Sequence, residues 1–168
     1  MRFSWFPSDD WDQRVRFRRY LIATGTSLLV VLLLGLCFLQ GLLEAGPFAV
    51  SAGVALAAIA LFYVLFRSGL NKRAADPSLT VPMMISAICV VTYALYHVGR
   101  ARTVLLLIYP MIMFFGIFRL NARALLLVCA LILCAYSLVV GLLTRHPSTL
   151  DSLPLELLRG AVLAAVLV

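Results

Sequence analysis

Five long runs of this chain contain no Asp, Glu, Lys or Arg: residues 20–43, 47–66, 81–97, 103–118 and 124–143. They are 24, 20, 17, 16 and 20 residues long and mainly apolar. Crossing the hydrocarbon core of a bilayer takes about 20 apolar residues of helix, with about 17–25 the usual range. A helix buried in a soluble bundle would still carry a charged stripe on its solvent side, and these runs have none. Composition agrees: 64% of residues are hydrophobic and 12% charged, against about 45–50% and about 25% in soluble domains. The sequence therefore predicts an all-α fold, a polytopic transmembrane helix bundle whose main partner is the lipid bilayer.

A sixth stretch, residues 154–168, is expected to be a truncated span. Only nine residues follow Arg159, and nine residues of helix rise about 13.5 Å. That would leave a terminal carboxylate inside the membrane at a cost of several kcal/mol, so the natural chain is expected to continue. Starting the helix at Leu150 instead gives it length but places Asp151, Glu156 and Arg159 within it. Glu156 and Arg159, three residues apart, can then pair.

The formal charge of +7 is divided among short segments between apolar runs. Such segments orient a protein in the membrane, and no nucleic-acid partner is expected from them. With a cytoplasmic N-terminus, the inner segments 1–19, 67–80 and 119–123 hold ten of the basic residues. The outer side holds four: Arg100, Arg102, Arg145 and Arg159. That bias favours the N-terminus inside, in a bacterial inner membrane.

Residues 1–19 form a basic juxtamembrane segment, set apart from a transmembrane helical domain over residues 20–168. Ser8 suits a helix N-cap, with Asp9 and Asp10 in the first turn. Arg14, Arg16, Arg18 and Arg19 then alternate with aromatic residues. The segment reads as an amphipathic juxtamembrane helix on the anionic inner leaflet, where each basic residue gains about 1 kcal/mol.

The second run is rich in small residues, with Ser51 and Ala55, and Gly53 and Ala57, forming small-xxx-small pairs. Membrane helices pack through such residues because backbones can approach closely. They fit either a central helix of the bundle or a homodimer contact. Thr80 and Pro82 suit the N-cap and first turn of the third span. The third and fourth spans are joined by residues 98–102 alone, a tight helical hairpin whose flanking arginines can snorkel.

Chemistry-bearing motifs are sparse. The sequence has no Gly-rich phosphate loop, no Gly-x-Ser-x-Gly and no paired metal-ligand spacing, so it predicts no catalytic residue, metal or cofactor. Cys37, Cys89, Cys129 and Cys134 lie in apolar runs and read as small hydrophobes. Thr92, Tyr93, Tyr109 and Tyr136 make a thin polar path for a transporter. Tyr93, Tyr96, His97 and Arg100 share one helix face by i, i+3, i+4, i+7 spacing, with Arg102 close by. The group suits either an interfacial aromatic belt with snorkelling arginines or a pocket for an anionic small molecule or lipid headgroup.

Three motifs carry a family resemblance: Asp76-Pro77-Ser78-Leu79-Thr80, Tyr96-His97-Val98-Gly99-Arg100-Ala101-Arg102 and Phe115-Gly116-Ile117-Phe118-Arg119-Leu120. With the basic tail and six spans, residues 15–168 resemble the N-terminal membrane region of bacterial GGDEF-type diguanylate cyclases. In that family the spans lead into a cytoplasmic domain that condenses two GTP molecules into cyclic di-GMP. This chain contains no Gly-Gly pair and none of that catalytic domain. The resemblance thus implies a sensory, anchoring or dimerising input module. The competing expectations are the input region of a histidine kinase or other output domain, a small transporter, and a structural membrane subunit.

Overall fold

The computed structural model describes residues 11–74, 76–117, 120–145 and 152–167, with the backbone alone at 12, 13 and 100. The expected cap at Ser8, Asp9 and Asp10 lies outside the described residues. Among them all regular structure is helical: α1 (Trp11–Leu39), α2 (Ala45–Ser68), α3 (Thr80–His97), α4 (Arg102–Leu106), α5 (Ile108–Ile117), α6 (Ala122–Leu143) and α7 (Leu153–Leu167). Short 3-10 turns occupy Leu70–Arg73 and Gly99–Ala101.

Among the described residues four helices are long and apolar enough to cross a membrane: α1 from Arg14 onward, α2, α3 and α6. Six spans were expected, and the other two stretches are shorter. The fourth run is divided at Leu107 into α4 and α5. Pro110 explains the division, since in one continuous helix its ring would clash with the carbonyl of Leu106 and leave it without a donor. Within the first turn of α5 neither problem arises. The last helix, α7, is 15 residues long. The described part of the juxtamembrane segment, residues 11–19, continues into the first span within α1, one helix of 29 residues.

Each end of the bundle has its own closure. At the far end of α1, Gly41 is left-handed (φ 69°), with Leu42 N donating to Cys37 O and Gly41 N to Phe38 O. This paired pattern satisfies the last carbonyls and turns the chain into α2. At the near end, Phe17 and Tyr20 of α1 pack with Phe62 and Phe66 of α2 and with Leu79. The Tyr20 ring lies 5.2 Å from that of Phe66, and its hydroxyl donates to the Ile59 carbonyl at 2.7 Å. Two inward aromatics thus tie the arginine-bearing start of α1 to α2.

The start of α3 corrects the expectation of a Thr80 cap. Leu79 holds the cap position in a left-handed conformation (φ 51°), and its own side chain makes no capping bond. Asp76 supplies the acceptors instead, Oδ1 for Ser78 N and Oδ2 for Thr80 N, both at 2.9 Å. A carboxylate at a helix N-terminus satisfies orphan donors and complements the dipole. The left-handed residue is tolerated because its side chain is buried in the aromatic cluster. Asp76→Ala should lower stability by about 1–2 kcal/mol, the usual cost of losing a cap. Unfolding in detergent micelles checks this, with Asp76→Asn expected to retain part of the loss.

The main core lies among α3, α5 and α6, with Leu34 and Cys37 from α1 and Leu163 from α7. Ala94, Leu95, Leu105, Tyr109 and Ile132 are fully buried there. The Tyr109 hydroxyl meets Thr92 Oγ1 at 2.8 Å, and Thr92 Oγ1 in turn donates to the Ile88 carbonyl. Two members of the sparse polar path therefore satisfy each other. Outward, Leu32, Leu61, Leu127 and Leu138 are more than half exposed. A surface of that kind invites aggregation in water but matches the acyl chains of lipid.

Candidate functional site

The site begins at the C-terminus of α3, where the last carbonyls of a helix need outside donors. Val98 N takes the Ala94 carbonyl at 3.0 Å. Gly99 then adopts φ 55°, and the 3-10 turn Gly99–Ala101 reverses the chain into α4. That reversal carries the first residue of α4, Arg102, beneath the end of α3. Its Nε donates to the Leu95 carbonyl at 3.1 Å. A guanidinium is well placed there because the C-terminal end of a helix dipole is negative.

Arg102 is completely buried, and its Nη1 donates to Oε1 of Glu156, which is 1% exposed. Glu156 lies in the first turn of α7. The same Oε1 accepts from Arg159 Nη1 at 2.6 Å, one turn along the helix. The second oxygen, Oε2, accepts from the Tyr136 hydroxyl of α6 at 2.6 Å. Gly160 gives Tyr136 room, since a Cβ there would stand 3.3 Å from the ring. One carboxylate thus joins the α3–α4 hairpin, α6 and α7.

Two guanidiniums against one carboxylate leave the group with a formal charge of +1. Arg102 Nη2 is buried and has no hydrogen-bond partner among the described residues. A low local dielectric strengthens each of these bonds, and it also makes any unmatched charge expensive. Geometrically it is a latch, one carboxylate holding side chains of α4, α6 and α7 together.

The structure distributes the sequence-predicted residues unevenly. Tyr93, Tyr96 and His97 gather at the end of α3, with ring centroids 4.8 Å apart for Tyr93–His97 and 4.9 Å for Tyr96–His97. The helical spacing does not reach residue 100, because α3 stops at His97 and the 3-10 turn begins two residues later. Arg102 points inward instead of snorkelling, for the reason given by the Gly99 reversal. On α2, Ser51 is buried and Ala55 half-buried, while Gly53 and Ala57 face outward. Arg14, Arg18 and Arg19 are exposed, and Arg16 is half-buried.

The Glu156–Arg159 pairing was legible from spacing, whereas Arg102 and Tyr136 as partners of Glu156 were not. The available signal was the carboxylate itself, since an acidic residue in an apolar stretch demands a partner. Comparison with protein-family models, curated proteins and solved structures returns no match for this chain.

Proposed function

We propose that this chain is a membrane-embedded input module of a bacterial inner membrane, with its N-terminus cytoplasmic and α4–α5 and α7 completing six spans. Its output, on the resemblance of the Asp76–Thr80, Tyr96–Arg102 and Phe115–Leu120 motifs, is a cytoplasmic diguanylate cyclase domain reached through α7. The observation that carries the reading is the buried contact of Glu156 with Arg102 and Tyr136. It fastens the hairpin at the far end of the bundle to the helix proposed to lead to the output domain. A cue acting on the Tyr93–Tyr96–His97 cluster lies one short turn from that latch, so hairpin movement and α7 movement are coupled.

Two GTP-bearing domains must meet for cyclic di-GMP to form, so a shift in dimer geometry is enough to gate the reaction. The outward Gly53 and Ala57 offer a close-packing stripe to a second copy. The test is a fusion of residues 1–168 to a dimer-dependent cytoplasmic reporter. The wild-type fusion should be active, and Arg102→Leu should change its output several-fold at equal membrane abundance. A strictly monomeric, silent fusion, or output indifferent to Arg102→Leu, contradicts the proposal.

A further inference from the structure

α2 packs between α1 and α3, and α1 reaches the main core at its far half through Leu34 and Cys37. Its near half does not close onto α3 and α5. The gap is a cavity of about 510 Å³ whose walls come from α1, α2, α3 and α5. That volume falls within the range of small-molecule sites, about 300–1,000 Å³. Small residues, among them Ala23, Ala58 and Ala87, alternate in its walls with larger apolar ones such as Phe62 and Met111.

Shape and polarity narrow the occupant. On α1 the cavity extends from Arg16 to Val30, and 14 residues of helix rise about 21 Å. On α3 it extends from Thr80 to Val91, about 16 Å by the same rise. One leaflet of hydrocarbon is about 15 Å deep, half of a core about 30 Å thick. The groove is therefore about as long as one leaflet is thick. Its charged groups, Arg16 and Arg19, stand at the near end, with Ser78 and Thr80 beside the mouth.

Farther in, the hydroxyls of Thr26, Ser27 and Ser86 are returned to carbonyls of their own helices. Thr24 Oγ1, also in the wall, is buried with no hydrogen-bond partner among the described residues, and the rest of the lining beyond the mouth is apolar in effect. The Asp76 carboxylate near Thr80 is already engaged by two backbone amides. Along the side, the rim residues Ile22 and Phe114 are 59% and 63% exposed. The groove opens laterally, toward where lipid chains would lie.

The geometry points to a binding site for a single anionic phospholipid, with one acyl chain in the groove and its phosphate between Arg16 and Arg19. The lateral opening decides for a phospholipid over a free fatty acid, because it lets a second chain remain in the bilayer. The arginines give the headgroup preference, since a basic residue at the surface attracts anionic lipid. Guanidinium groups also match phosphate oxygens in geometry.

Native mass spectrometry of the full chain, released from mixed vesicles of phosphatidylglycerol and phosphatidylcholine, tests this. One phosphatidylglycerol should be retained per chain. The double variant R16Q/R19Q should lose about 30-fold of the preference over phosphatidylcholine, from two arginines acting together. Ala87→Phe, which fills the groove from α3, should abolish retention while leaving helicity intact. Should Ala87→Phe fail to fold, spin-labelled phosphatidylglycerol with the wild-type chain should show an immobilised component, displaced by unlabelled phosphatidylglycerol. Equal retention of the two lipids, retention indifferent to both variants, no immobilised component, or palmitate bound in place of phospholipid overturns the assignment.

Discussion

Replacing Glu156 with alanine should destabilise the folded chain by about 3–5 kcal/mol, the usual cost of removing one partner from a buried ion pair. Three donors depend on that carboxylate: Arg102 Nη1, Arg159 Nη1 and the Tyr136 hydroxyl. Arg102 suffers most, being fully buried with no route to water. Arg159, whose side chain is 11% exposed, can turn outward more cheaply. Glu156→Gln keeps an acceptor for Tyr136 but not the negative charge, so its loss should fall between wild type and alanine. Unfolding in mixed micelles, followed by helicity, reads all three.

Phe66→Ala should cost a comparable amount, about 3–5 kcal/mol by the measure of aromatic truncations in packed cores. Phe66 is 1% exposed and centres the cluster that receives Phe17, Tyr20 and Leu79. Lipid is as apolar as a side chain, so burial within the bilayer gains from packing more than from the hydrophobic effect. This cluster sits instead at the arginine-bearing end of the bundle, where the vacated space borders a polar medium. Amide exchange across α1 from Trp11 to Thr24 should rise with the loss of stability, because the aromatic staple is what holds that half of the helix to α2. Leu127→Ala provides the contrast. Leu127 is 72% exposed, and its truncation should move stability by no more than about 0.5 kcal/mol.

What the sequence made legible follows from what each feature depends on. Uninterrupted apolar runs with no charged stripe dictate helices, and 47–66, 81–97 and 124–143 became α2, α3 and α6 with ends moved by a few residues. The Glu156–Arg159 pair needed only the helical period. Other features depend on one backbone angle or on contacts between distant segments. Gly99 at φ 55° decides that Arg102 turns beneath α3 instead of outward. Pro110 decides that the fourth run breaks at Leu107, and Asp76 takes the capping role expected of Thr80. The groove reflects how α1 leans away from α3 and α5 at one end, which no local pattern encodes.

The most direct measurement of the central claim, that a buried charge pair fastens the α3–α4 hairpin to α7, is a double-mutant cycle on Arg102 and Glu156. Glu156→Leu strands the buried Arg102, whereas Arg102→Leu leaves Glu156 paired with Arg159 and Tyr136, and the double variant R102L/E156L leaves an apolar contact with Arg159 free to turn outward. Buried pairs replaced wholly by apolar residues often lose little stability. The expected result is a double variant more stable than Glu156→Leu alone, with a coupling of about 2–3 kcal/mol. Single losses that add to within about 0.5 kcal/mol would contradict it.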